Sequence, residues 1–213
     1  MADLRYGACV GSWDRLARWV LPRVGDHERE FLGLSGQTSI AVAYNTILDA
    51  YAARHDGPVV LLHDDLEIID PDFEEKVAAV LANPDTDRIG LVGVCGGTRD
   101  TTLAWWNGPT VGHQRIDGRV LDFGPQAGDV AIIEGSIMIF PSWAVRNLRF
   151  DTRYPGFHSY DEICLSALAA GRRVVVADID TYHHVSLGFK SEASAQAWAH
   201  GEALFQQKWH GGQ

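Results

Sequence analysis

An α/β fold with a mostly parallel central sheet flanked by helices is what this 213-residue chain predicts, and three observations carry it. Over the first hundred residues, segments with helical spacing of apolar residues alternate with short apolar runs. Those runs, VVLL at 59–62 and RIGLVGV at 88–94, lack polar alternation, as strands covered on both faces do. Between 95 and 128 the pattern changes to glycine-rich turns around a hairpin, which predicts a small antiparallel insertion.

In chain order, RYGACV at 5–10 reads as a first strand, ended by Gly11 and Ser12. TSIAVAYNTILDAYAA at 38–53 is the clearest helix. Ile40, Ala43, Tyr44, Ile47, Leu48 and Tyr51 share one face, and Thr38 or Ser39 can cap its start. Gly57-Pro58 breaks the chain before the strand at 59–62. Asp70-Pro71 then reads as an N-cap with proline at N1, opening a helix to about Leu81 with Phe73, Val77, Val80 and Leu81 inward. The strand at 88–94 leads into the 95–128 insertion. It carries Trp105-Trp106 and the hairpin QRIDGRVLDF, whose turn is Asp117-Gly118. A strand near 130–133, the segment EGSIMIFP, a helix near 160–170 and a strand at 173–177 follow. The helix near 160–170 has Ile163, Leu165, Leu168 and Ala169 as its apolar face. The last helix, about Ser191 to Trp209, places Ala193, Ala197, Leu204 and Phe205 on one side. That side covers the sheet or pairs with a second copy in a homo-oligomer. With no repeats or linkers, the reading is a single domain over 1–213. Its parts are a nucleotide-binding half at 1–94, an acceptor and catalytic half at 95–190, and a C-terminal helix at 191–213.

Composition narrows the function. The net charge is −10 and no Lys/Arg cluster appears, which argues against nucleic acid as a partner. An acidic protein that binds phosphates does so through a metal or backbone amides. No apolar run approaches the ~20 residues of a membrane span, and MADLRYGACVGSWDRL lacks the pattern of a secretory signal. Cys9, Cys95 and Cys164 are odd in number and far apart, which suits a reducing, cytoplasmic setting.

Chemistry concentrates where VVLL runs into His63, Asp64 and Asp65. Parallel strands present ligand sites at their carboxyl ends. Adjacent carboxylates disfavour each other's ionisation, and a hard divalent cation relieves that cost while bridging phosphate oxygens. A solvated strand end is the plainer reading of the same residues. A second cluster lies at Tyr160-Asp161-Glu162, which opens a helix after a loop holding Tyr154, Gly156, Phe157 and His158. Acidic residues suit a first helical turn on dipole grounds alone, but a carboxylate beside such a loop can also act as a general base. His183-His184 ends a later strand, and an imidazole suits a transition metal.

Together SIAVAYNTILDA, VVLLHDDLEIIDPDF, EGSIMIFP, FDTRYPGFHSYDEICLSALAAGRRVVVAD and the terminal HH, collinear over residues 37–185, resemble the family 2 glycosyltransferases of the GT-A fold, in particular a small bacterial branch with an LHxD-type motif. The resemblance implies a metal-dependent, inverting transferase of hexosyltransferase type. It would use Mn²⁺ or Mg²⁺, a UDP- or GDP-sugar donor and a hydroxyl of a small-molecule or glycan acceptor. Asp65 matches the motif's last aspartate and is the first choice of metal ligand. Asp64 contacts ribose or metal, and His63 stands where the first aspartate usually is. Asp161 matches the catalytic base. His184 matches an occasional histidine ligand, with His183 the lesser choice. Cys9, Gly11 and Ser12 would line base and ribose, and Asn45 the donor. Gly135, Ser136 and His158 would lie beside the sugars, and Trp105 and Trp106 would stack on the acceptor. In the implied mechanism the metal neutralises the diphosphate leaving group while Asp161 takes the proton of the attacking hydroxyl. The competing readings are a nucleotidyltransferase, for which ACVGSWDRLAR lacks a basic phosphate loop, and a non-catalytic nucleotide- or glycan-binding module, which His63 alone favours.

Overall fold

The computed structural model describes residues 3–24, 31–82, 88–98, 104–154, 158–184 and 191–211. The first strand, β1 (Arg5–Val10), runs into a short helical turn, α1 (Trp13–Arg15), which widens into a π-type segment at Leu16–Val20. β2 (Phe31–Ser35) and α2 (Ile40–Ala52) follow, then β3 (Val59–His63), β4 (Leu66–Ile68), α3 (Phe73–Ala82), β5 (Ile89–Gly93) and β6 (Cys95–Gly97). A 3₁₀ turn at Trp105–Asn107 precedes β7 (Thr110–Ile116), β8 (Arg119–Asp122), β9 (Gly128–Val130), β10 (Ile132–Ile133) and β11 (Ile137–Phe140). The chain closes through α4 (Ser142–Asn147), α5 (His158–Ala169), β12 (Arg173–Val176), β13 (Thr181–His183) and α6 (Glu192–Trp209).

The central sheet has seven strands in the order β2-β1-β3-β11-β5-β12-β9. β2, β1, β3, β5 and β12 point one way, and β11 and β9 the other, so five of the seven strands are parallel. The VVLL run shows why such strands lack polar residues. Val60 and Leu62 enter one apolar cluster with Tyr6, Phe73 and Phe205, whereas Val59 and Leu61 enter another with Tyr44, Ile47 and Leu48 of α2. Burying each of these side chains contributes about 1.5–3 kcal/mol. Ser39 is the cap of α2, its hydroxyl accepting from Val42 N. A second sheet, β10-β6-β7-β13-β4 with β8 on β7, is built from the 95–128 insertion and the strand ends that flank the site. Its hairpin turn has positive φ at both Asp117 (49°) and Gly118 (74°), the two-residue geometry that matches strand twist. Among the described residues no helix is long and apolar enough to cross a membrane.

Three local expectations differ from the structure. β2, which pairs in parallel with β1 at the sheet edge, is absent from the sequence reading because FLGLS is only half buried and Gly33 interrupts it. Ala169 is exposed, since α5 turns Ala167 rather than Ala169 inward. Ala193 is exposed too. α6 packs through Gly201 and Phe205, with Trp198, Leu204 and Trp209 partly covered, and it lies against α5.

Asp70 is the join between the two halves of the site scaffold. Its carboxylate accepts from Lys76 Nζ at 2.7 Å, Asp72 N at 2.9 Å and Asp180 N at 3.0 Å, tying the start of α3 to the loop before β13. The helix itself begins at Phe73, two residues after the predicted proline position. Burial pushes the Asp70 carboxyl up, but Lys76 and the two backbone amides outweigh it and hold it below its ordinary value of 3.8. A depressed carboxyl contributes stability that is present above the ordinary value and lost as pH falls through the folded one. Asp70→Ala is expected to cost about 1–3 kcal/mol in urea unfolding at pH 7, because two amides lose their acceptor. The difference from the parent protein should shrink below about pH 4.

Candidate active site

Backbone register brings four chain segments to the carboxyl end of β3. Cys9 pairs with His63, so the loop after β1 opens beside it. β11 begins opposite Leu62, and His63 N donates to Ser136 O at 2.8 Å, so Glu134-Gly135-Ser136 enters from the other side. β13 runs antiparallel to β4, which sets His183 opposite Leu66, and His184 N donates to Asp65 O. The start of α5 supplies Tyr160, whose hydroxyl lies 2.7 Å from His63 Nε2.

The two aspartates have different surroundings. Asp64 accepts from Gly11 N at 2.8 Å and Ser12 N at 2.6 Å, and pairs with Arg15 at 2.9 Å. It therefore fixes the loop after β1. Asp65 faces the interior of the cluster. His183 Nε2 lies 3.3 Å from Asp65 Oδ1 and 3.3 Å from His63 Nδ1. His63, Asp65 and His183 each offer one ligand atom, and these lie within 4.8 Å of one another. Two imidazole nitrogens and a carboxylate oxygen so close, with few protons to share, are a donor set that fits a divalent transition metal. Burial, followed by the neighbouring His183, lowers the His63 imidazole to about 4, so the ring is neutral and its nitrogens can bind. Burial raises the Asp65 carboxyl, but His183, His63 and Arg15 bring it below its ordinary value.

Glu134 completes the cluster. Ser136 N donates to its Oε2 at 2.8 Å, the Ser136 hydroxyl makes a short bond to the same oxygen, and Oε1 lies 4.0 Å from His183 Nδ1. Asp161 is nearly buried, with Oδ2 3.2 Å from His158 Nδ1. Burial raises its carboxyl above the ordinary value, although His158 offsets part of that rise.

Several expected residues stand elsewhere than the sequence suggested. His184 is not in the metal-capable cluster. Its Nε2 is 2.9 Å from Glu67, and its ring is stacked between Trp19 at 3.6 Å and Tyr182 at 3.9 Å, whereas His183 faces Asp65. Asn45 uses both ends of its amide on the Phe150 backbone, which pins α2 rather than lining the cleft. Ser136 is fully buried, fastening Glu134 and accepting from Gln114. Gly135 serves Tyr160, since a Cβ there would come 2.0 Å from the tyrosine ring. His158 is fully buried, its ring nitrogens directed at Asp161 and the Trp198 carbonyl. Trp105 is a core residue against Phe123, whereas Trp106 is half exposed and neighbours Trp198. Cys9 is half buried, its thiol pushed up by burial and by Asp64. Gly156 and Phe157 lie outside the described residues. Arg15, Glu134 and Tyr160 were missed as site residues. Arg15 had a signal, a cation five residues beyond the strand that ends at Val10; Glu134 had none, because His183, which it approaches, is remote in sequence.

The comparisons bear on the geometry. The chain is 32% identical to the streptomycin biosynthesis protein StrF of Streptomyces griseus over 217 residues, spanning 96% of this chain and 73% of that protein. Its fold is similar to a mannosyltransferase, PcManGT of Pyrobaculum calidifontis, solved with GDP-Man and Mn²⁺. The TM-score is 0.57 at 14% identity, covering 96% of this chain and 63% of that one. It is likewise similar to GalNAc-T7 solved with UDP, GalNAc and Mn²⁺. There the TM-score is 0.59 at 11% identity, covering 88% and 44%. At such identities the likeness shows the fold, which is GT-A. The model of a glycosyltransferase-like family matches residues 4–200, and with these observations the chain belongs to that family.

Proposed function

We propose that the protein is a metal-dependent, inverting glycosyltransferase that moves a sugar from a UDP- or GDP-sugar to a hydroxyl of a small-molecule or glycan acceptor. The observation that carries this reading is the convergence of His63, Asp65 and His183 at the carboxyl end of β3, in a chain of the glycosyltransferase-like family. Relatives of the fold solved with Mn²⁺ and UDP or GDP-Man support the donor class. His63, Asp65 and His183 would hold Mn²⁺ or Mg²⁺, which when bound neutralises negative charge on a diphosphate leaving group.

The remaining work falls to the chain. Asp64 and Arg15 hold the Gly11-Ser12 loop in one conformation, which preorganises the wall that meets the nucleoside. Glu134 sits at the edge of the His183 ring and restricts its rotation. Asp161 takes the proton from the attacking hydroxyl. The acceptor oxygen bonds to the anomeric carbon as the bond to the diphosphate breaks, and a single displacement inverts that carbon. The half-exposed ring of Trp106 suits an apolar sugar face on the acceptor side.

UDP or GDP is expected to raise Tm only with Mn²⁺ or Mg²⁺ present. At 100 times Kd the gain should be about 2.7 kcal/mol, or roughly 5–10 °C. Asp65→Ala and His183→Ala should each abolish the shift, while His184→Ala should leave it. A shift unaffected by either of the first two places the ion elsewhere, and no shift with any nucleotide and metal ends the donor assignment. Asp161→Asn should keep nucleotide affinity while kcat falls about 10²–10⁴-fold in single-turnover assays with the active donor and acceptor. The product anomer, read by proton NMR, should be opposite to the donor's, and retention would refute the single displacement.

A further inference from the structure

The His158–Asp161 contact constrains where protons sit. His158 Nε2 lies 2.8 Å from the Trp198 backbone carbonyl of α6. A carbonyl oxygen only accepts, so Nε2 carries a hydrogen. The other nitrogen, Nδ1, faces Asp161 Oδ2 at 3.2 Å. If the ring is neutral, Nδ1 is a bare lone pair pointing at a carboxylate, and the contact is repulsive. It becomes a hydrogen bond only when one further proton lies between them, either on the carboxyl or on Nδ1. The ring has no freedom to flip away. It is fully buried, packed at 4.4 Å on the Trp198 indole, and closed in by Gly201, where a Cβ would come 2.2 Å from His158 Cδ2.

We propose that His158 and Asp161 form a proton-holding pair, seated by α6, that takes up one proton as a unit, His158 acting as the residue that positions Asp161 and sets its basicity. The catalytic use of the pair rests on the glycosyl-transfer reading; the shared proton does not. In use, the acceptor O–H bond breaks and its proton joins the pair. The oxygen's electrons form the bond to the anomeric carbon, and the electrons of the broken carbon–oxygen bond leave on the diphosphate. Two bases compete for that proton instead of one, so the pair binds it more tightly than a lone carboxylate, with one macroscopic midpoint. The groups facing Asp161 are His158 and Cys164 on α5 and Glu134 before β11. From α6 the groups facing the His158 ring are the neutral Trp198 carbonyl and Gly201, among the described residues. Glu134 adds negative charge, which favours the protonated pair.

The test needs no variant in its first arm. In the parent protein labelled with ¹⁵N-histidine and ¹³C-aspartate, His158 Nε2 should stay protonated throughout, and His158 Nδ1 and Asp161 Cγ should titrate with one midpoint. Separate midpoints, or a ring protonated on Nδ1 alone, overturn the pair. In the second arm, His158→Asn places an amide N–H where Nδ1 was, a permanent donor to the carboxylate. The acid limb of kcat/KM should then move down by about one pH unit, and kcat should fall about tenfold as the base weakens, with donor KM unchanged. Gly201→Ala, which pushes the ring off its carbonyl, should shift the limb in the same direction. A profile that superimposes on the parent's in a folded His158→Asn protein makes His158 structural only. One midpoint with no transfer from any sugar nucleotide keeps the pair and removes the glycosyl-transfer reading.

Discussion

Negative charge gathered at one strand end is the constraint around which this structure is built. Asp64 and Asp65 at the end of β3 and Glu134 just before β11 come to the place where β1, β3 and β11 meet, and Asp64 and Asp65 are nearly buried. Unrelieved, such crowding is expensive, because each desolvated carboxylate raises the cost of ionising the next. The chain relieves it unequally. Asp64 receives two backbone N–H groups and the Arg15 guanidinium, and Glu134 receives the amide and hydroxyl of Ser136. Asp65 is left with imidazoles, 3.3 Å from His183, and with Arg15 only at 4.0 Å. One carboxylate thus remains less fully paired, beside a neutral His63 ring and the His183 imidazole. That imbalance makes the spot suited to a cation.

The neighbouring elements are disposed so that this arrangement holds. His184 is clamped in a column, with Arg18 over Trp19 at 4.5 Å, Trp19 and Tyr182 on either face of the imidazole, and Arg115 over Tyr182 at 5.7 Å. Glu67 bridges the edge of the column to Arg23. The column fastens the π-type segment after α1 to the end of β13, on the side of the strand away from His183. Tyr160, lying against Gly135, holds His63 from the far side. The histidine that replaces an expected aspartate is therefore a supported part of the cluster.

Local chemistry made much of this legible in the sequence. The face of α2, the buried strands β3 and β5, the Asp117-Gly118 turn and the extent of α6 all follow from periodicity or turn residues within a few positions. So did the gathering of acidic residues at the end of β3, because apolar residues stopping at acidic ones is a local signal. What was hidden depends on register. Consecutive residues of a strand face opposite sides, so only one histidine of the 183–184 pair can meet Asp65, and the pairing of Tyr182 with Glu67 decides which. Glu134 gave no sign, since Gly-Ser follows it and His183 arrives from another element. Ser136, Asn45 and His158 looked like ligand contacts because they are polar. Their polar atoms are instead spent on Glu134, on the Phe150 backbone and on α6.

The glycine at 201 has a consequence for the order in which the protein becomes competent. Translation proceeds from the amino end, so the strands bearing His63, Asp65 and His183 leave the ribosome before α6 does. A nascent chain can bring these three side chains together early. The His158 ring, however, gains its carbonyl partner only once residues 198 to 201 have emerged and folded back onto α5. Until then Nε2 is left to water, and Asp161 has a neighbour free to rotate.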